Sequence, residues 1–214
     1  MYLCSYSGKI LSYHNECRGV IHVGANDGAE RDEYAKYSLN VLWFEPNPEV
    51  FQKLKTNIAG YDKQKAFEYL VSDIDDGVYT FHISNNDGQS SSIYPLHKHQ
   101  EVWPTVHYVK DVSVRSIRLD TFMKRECYDP EKFKKLHIDC QGSEMLVLKG
   151  AVETLPHVKY VQMEITSMEL YKGGSYESEV NQFLKERGFE IMARNDFINI
   201  ADGTVSEIHY KRIG

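Results

Sequence analysis

The sequence predicts an α/β fold, a doubly wound and mostly parallel sheet, and three observations carry the prediction. Short apolar runs recur along the chain: VIHVG at 20–24, VLWFE at 41–45, AFEYLV at 66–71, KLHIDC at 135–140 and VKYVQMEI at 158–165. Runs of this length bounded by turn residues suit strands buried on both faces, as in a parallel sheet covered by helices. Amphipathic stretches separate the runs, and a βαβαβ alternation defines the doubly wound class. The first run also ends in glycines directly before a helix-prone segment.

The elements follow in order. Val20 to Gly28, V-I-H-V-G-A-N-D-G, leads into the polar stretch AERDEYAKY. After the second run EPNP forms a turn, and PEVFQKLKTNI places Val50, Phe51, Leu54 and Ile58 at helical spacing. From 78 to 118 the alternation breaks into VYTFHIS, the polar NNDGQSSS, a stretch bearing His, Pro and Trp, and VSVRSIRLD. That pattern reads as an antiparallel insertion with a long loop, and loops of such length tend to carry function. SEMLVLKGA reads as a short helix with Ser143 as N-cap and Gly150 near its end. SYESEVNQFLKERGF is a longer helix capped by Ser175 or Ser178, with Val180, Phe183 and Leu184 facing inward and Gly188 stopping it. GFEIMARNDF and GTVSEIHYKRI close the chain as two strands joined by an ADG turn.

A length of 214 residues fits one domain, taken as 20–214 with 1–19 as an N-terminal extension. No apolar run approaches the roughly 18 to 20 residues of a bilayer span. The start, MYLCSYSGKILSYHNE, lacks the apolar core of a secretory signal, so a soluble, cytoplasmic protein is expected. Cys4, Cys17, Cys127 and Cys140 lie far apart with no C-x-x-C pair, which favours reduced thiols over disulfides or a zinc site. A net charge of -6 argues against nucleic acid as the main partner.

The loop after the first strand has a chemical reading. Glycines at a strand end let backbone approach a ligand and aim unpaired N–H groups at it. A dinucleotide G-x-G-x-x-G needs its second glycine against the pyrophosphate, but the aligned positions here are Gly24, Asn26 and Ala29. S-adenosylmethionine (SAM) has no phosphate. Its carboxylate and amine need mixed donors and acceptors, which Asn26, Asp27 and the backbone of Gly24, Ala25 and Gly28 supply. Glu45 ends the second strand 21 residues after Gly24 and is followed by Pro46 and Asn47. A carboxylate there can accept both ribose hydroxyls, as in dinucleotide folds. The third run ends in Val71, Ser72 and Asp73, which places Asp73 at the adenine amino group and Ser72 at the ring. SDIDDG is equally good turn sequence.

These residues bring the chain to a known family. VIHVGANDG, VLWFEPNP, SSSIYP and above all HIDCQGSEMLVLKGA resemble the FkbM methyltransferases, the last segment being similar to their I-D-x-x-G-x-E-x-x-x-L-x-G-A block. The resemblance runs from about Val20 to the C-terminus. It implies a class I methyltransferase fold: a Rossmann-like, mostly parallel seven-stranded sheet with an antiparallel C-terminal strand, here carrying an inserted hairpin and loop. It also implies SAM as donor and methyl transfer to an oxygen, commonly a hydroxyl of a sugar or polyketide. A sugar or glycan acceptor is preferred, such as the deoxysugar rhamnose. Whether the chain works alone or as one module of a larger glycan-modifying protein stays open. One departure is Gln141, neutral where the family frequently has an acid.

Ligands in open α/β sheets bind beyond the carboxyl ends of the strands, so the acceptor should meet Asp139, Gln141, Glu144 and Glu164. Methyl transfer depends on holding the acceptor oxygen in line, and an alcohol needs a nearby group to take its proton. Asp139 is the expected base, with Glu144 and Glu164 as further catalytic candidates. Glu144 can equally serve the helix dipole, and Glu164 can be the polar end of a buried strand. Ser92, His99 and Trp103, in the insertion, join Gln141 as candidate acceptor contacts; His22 and His137 read as core histidines. A magnesium ion shared by Asp139 and Glu164 is the mechanistic alternative to a metal-free site. Rival functions are a nucleic-acid or protein methyltransferase, disfavoured by charge and by the absence of an N-P-P-Y run, and a non-catalytic SAM-binding module.

Overall fold

The computed structural model describes residues 11–213, so Cys4 and most of the N-terminal extension lie outside the described residues. In chain order the strands are β1 (Gly19–Val23), β2 (Asn40–Phe44), β3 (Gln64–Phe67), β4 (Leu70–Val71), β5 (Val78–Ser84), β6 (Tyr108–Ile117), β7 (Lys135–Ile138), β8 (Tyr160–Thr166), β9 (Phe189–Ile200) and β10 (Gly203–Arg212). The helices are α1 (Arg31–Lys36), α2 (Pro48–Asn57), α3 (His99–Val102), α4 (Leu119–Arg125), α5 (Glu144–Lys149) and α6 (Glu177–Lys185), preceded by a 3-10 turn at Leu11–Glu16.

Seven strands form one sheet in the order β3-β2-β1-β7-β8-β10-β9, with β10 alone antiparallel to its neighbours. Alternation along the strands divides the core. Ile21, Val23, Leu136, Ile138, Val161 and Met163 face one side and pack on Val147, Val180 and Leu184. Val20, Val41, Trp43 and Tyr160 face the other, under Tyr34 and Leu54. His22 and His137 share that second face, ring centroids 3.9 Å apart, with both Nδ1 atoms beside the Tyr34 hydroxyl at 3.2 and 3.1 Å. Burial lowers both imidazole pKa values well below the ordinary range. They are core histidines. Residues ahead of β1 pack here too: Tyr13, His14 and Cys17 are buried, and Tyr13 stacks on Tyr160.

Three local readings change. AFEYLV is not one strand; β3 stays in the main sheet while Leu70 and Val71 pair with β6 in a second, three-stranded sheet. Ser143 occupies the N-cap of α5, but its hydroxyl donates to the Cys140 carbonyl. Neither serine caps α6, whose N-cap is Tyr176; Ser175 bonds Met145 N and Gly142 O instead. Helix α4 follows β6 in a stretch to which the sequence reading assigned no element. The insertion is antiparallel as expected, β5 against β6, and its loop crosses the carboxyl end of the main sheet. Gly88 abuts Asn47 and Val50 at the start of α2, and Ser92 reaches the loop after β7.

Candidate active site

The glycine loop joins β1 to α1, and its backbone is consumed internally. Gly24 N and Ala25 N both donate to the Phe44 carbonyl, Gly28 N to Ala25 O, Asn26 N to Glu45 Oε2 at 2.8 Å, and Asp27 N to the Asn26 side chain. The expectation that free N–H groups point at a ligand is therefore corrected. Gly24 is glycine for another reason: φ is +81°, and a Cβ there would lie 1.8 Å from the Asp139 carbonyl, so the ends of β1 and β7 can touch only without a side chain. With its N–H groups taken, the loop offers chiefly the Asp27 carboxylate and the Asn26 amide. Such a set suits an ammonium or sulfonium better than a pyrophosphate, which demands donors. On this chemistry the residues fit SAM.

Glu45 lies just past β2, 6% exposed, and its two oxygens accept Asn26 N and Asn47 N, each at 2.8 Å. Burial pushes its pKa up to about 7 against those two hydrogen bonds. Each oxygen retains a lone pair for a ribose hydroxyl. Asn47 is buried and caps α2, accepting Glu49 N and Val50 N. Its backbone N–H supports Glu45. Ser72 is fully buried, its hydroxyl bonded to Asp73 and Tyr79, so its placement at the adenine ring is corrected; Asp73 remains half-buried at the end of β4. Pro46 is half-buried between Glu45 and Asn47.

Past β7 the structure brings Asp139, Gln141 and Glu164 together. Gln141 Nε2 donates to Asp139 Oδ1 at 2.5 Å, and Gln141 shares the wall of a small cavity with Glu164. Its Oε1 accepts the Tyr171 hydroxyl at 2.6 Å. Burial raises Asp139 to about 6, the Gln141 bond opposing it. Glu164 is pushed well above the carboxylate range, first by burial and then by the charges of Asp139 and Glu144. Gln141 holds φ at +51°, left-handed for a non-glycine residue, next to Gly142 at +103°. A cavity of about 20 Å³, room for one water, lies among Gln141, Glu144, Glu164, Thr166 and Tyr171.

Glu144 lines the same cavity, with one carboxylate oxygen engaged by the backbone. It is 2% exposed and its Oε1 accepts Cys140 N at 3.2 Å and Gly142 N at 3.0 Å, so it fixes the loop that carries Gln141. Ser92, fully buried, donates to Gln141 O at 2.7 Å and accepts Tyr94 N. His99 is 2% exposed, with rings of Trp103 and Tyr171 at 4.6 and 5.3 Å, and Trp103 packs into the same apolar cluster. Of the expected acceptor contacts, Ser92 braces the loop after β7 and His99 is buried behind Tyr171, while Trp103 is half-buried against His99. Among the described residues no group of three or more His, Cys, Asp and Glu side chains is placed to hold a metal ion.

Two residues escape the sequence reading. Tyr171 sits in an irregular segment with no pattern to mark it. Glu207 pairs directly with Glu164 across β10 and β8 and interacts with both Glu164 and Asp139. Period-two alternation in VSEIHY, which puts Glu207 and His209 on one face, is the signal that could have found it.

The methyltransferase FkbM domain matches residues 22–191. The chain belongs to the FkbM methyltransferase family. Among relatives of this FkbM chain, the 2-O-methyltransferase NoeI of Sinorhizobium fredii is 28% identical over 162 residues, covering 72% of this chain and 65% of that one, just under two thirds of its length. The N-methyltransferase NodS from Bradyrhizobium japonicum superposes with a TM-score of 0.52 at 7% identity, over 96% of this chain and 92% of its own. A candidate rRNA methylase from Clostridium thermocellum gives 0.52 at 14%, over 97% and 95%. At such identities the likeness concerns the fold, which is that of class I methyltransferases. No helix among the described residues is long and apolar enough to cross a membrane.

Proposed function

We propose that this FkbM chain methylates a hydroxyl of a sugar or glycan, with Asp139 as the base that receives the hydroxyl proton. The observation that carries the proposal is the placement of Asp139: its backbone touches Gly24 of the cofactor loop, and its carboxylate is desolvated but held by Gln141. SAM, when bound, supplies an electrophilic methyl group. Asp27, Asn26 and Glu45 would hold it, Glu45 at the ribose. Asp139 is ionised at neutral pH yet basic enough to take a proton as the new carbon–oxygen bond forms. Glu144 and Ser92 keep its loop in place.

A neutral acceptor suits the charge of the site. Asp139, Glu164 and Glu207 follow one another on adjacent strands of the same sheet face, and the ionised Asp139 and Glu207 repel phosphate. The match to NoeI, a 2-O-methyltransferase, supports oxygen as the methylated atom. Labelled SAM supplied with glycosides such as methyl rhamnoside, with polyketides and with nucleic acids is the test. Label should enter a glycoside. Label in nucleic acid alone overturns the proposal, label in a polyketide alone keeps the base and changes the acceptor, and binding without turnover makes the chain a SAM-binding module. Loss of turnover on chelation, restored by magnesium, would add a metal at Asp139 and Glu164.

A further inference from the structure

The Gln141 amide can sit in either of two flips, and only one helps a base. With its N–H edge on Asp139 it stabilises the carboxylate; reversed, a carbonyl oxygen would face an anion. The Asp139 carboxylate favours the first flip, and Tyr171 can hold it: Oε1 faces the Tyr171 hydroxyl, which then donates its one proton at 2.6 Å. Tyr171 is seated in turn by the insertion, its ring against that of His99 with centroids 5.3 Å apart. Ser90 Oγ meets Asn86 Nδ2 at 3.0 Å and His99 Nε2 at 3.1 Å, which holds the His99 ring in place.

We propose that Tyr171 is a positioning residue, which, seated against His99, locks the Gln141 amide with its N–H edge on Asp139. Gly142 has Tyr171 packed against it so closely that a Cβ would lie 3.1 Å from the Tyr171 Cβ, and Leu96 of the insertion pairs with Tyr171. The insertion thereby acts on the catalytic loop without touching substrate. The inference rests on Asp139 as base.

The full chain with S-adenosylhomocysteine is the material for the test. Tyr171→Phe should lower kcat about tenfold and leave KM within about twofold, because orientation of the base matters in the transition state. In a Gln141→Leu background the same change should have no further effect, since both act through one amide. Additive losses, or a Tyr171→Phe enzyme with wild-type kcat, overturn the proposal. Melting and cofactor affinity of each variant separate positioning from a damaged fold. Asp139→Asn distinguishes the two readings: activity in that variant removes the base itself, whereas an inactive Asp139→Asn beside a fully active Tyr171→Phe removes only the positioning role.

Discussion

At the scale of single residues, two carboxyl groups a few positions apart have opposite duties. Asp139, the proposed base, is held by one side-chain donor; Glu144 is buried and accepts two backbone N–H groups. Asp139→Asn should therefore reduce turnover by about 10² to 10⁴, the range of a lost general base, and leave S-adenosylhomocysteine affinity close to wild type by calorimetry. Because the base works ionised and Asp139 is raised to about 6, kcat/KM should fall as pH drops through that value. A flat profile down to pH 5 would point to another base. Glu144→Ala should instead cost about 2 to 4 kcal/mol of stability by leaving two N–H groups buried and unpaired. Glu144→Gln, which keeps an oxygen where Oε1 stands, should lose much less in the same denaturant titration.

At the scale of elements, the site depends on two strand ends meeting. Gly24→Ala places a methyl group 1.8 Å from the Asp139 carbonyl in a left-handed backbone, so β1 and β7 must separate at the point where the proposed cofactor loop and base adjoin. A loss of about 3 kcal/mol or more is expected from strain and clash together, read as a lower melting midpoint, with cofactor affinity falling in parallel. That contact also marks what sequence could and could not deliver. Gly24 announces itself by type, but its close partner lies far along the chain, and the sequence reading assigned the space to a ligand. The strand runs, helix α2 and the terminal hairpin were legible because periodicity is local. The split of AFEYLV was not, since Leu70 and Val71 leave the sheet to pair with β6 and no glycine or proline marks the break. Helix α4, seven residues long, is too short to show a period. Gln141 and Asp139 were found from the motif; the burial of Ser92 and His99 under Tyr94 and Trp103 is a tertiary fact without a local sign.

At the scale of the whole molecule, the sheet face that carries Asp139, Glu164 and Glu207 at its carboxyl end carries a buried cation lower down. Lys135 opens β7, 2% exposed, with Nζ 3.0 Å from His14 Nε2 and over the rings of Tyr13 and Tyr34 at 5.4 and 5.3 Å. Among the described residues no carboxylate forms an ion pair with it; Glu33, Glu30 and Glu207 act only at longer range. Desolvation lowers its pKa from 10.5 to about 8. Below pH 8 both folded and unfolded chains hold the proton, so the full penalty of about 3 kcal/mol opposes folding. Between pH 8 and 10.5 the unfolded chain is protonated and the folded chain is not, so this group's contribution to stability rises with pH across that window. Lys135→Met, similar in length and without charge, should raise the melting midpoint at pH 7 by a few degrees after the loss of the ring contacts, each worth about 1 kcal/mol. The Cys17 thiol, pushed up to about 11 by burial, works in the opposite sense at the upper end of the range, so the informative quantity is the difference between the two chains. That difference should be largest at pH 7 and shrink steadily from pH 8 to pH 10. A difference that does not change with pH would mean that Lys135 enters the folded core uncharged, with the destabilising charge elsewhere on this face.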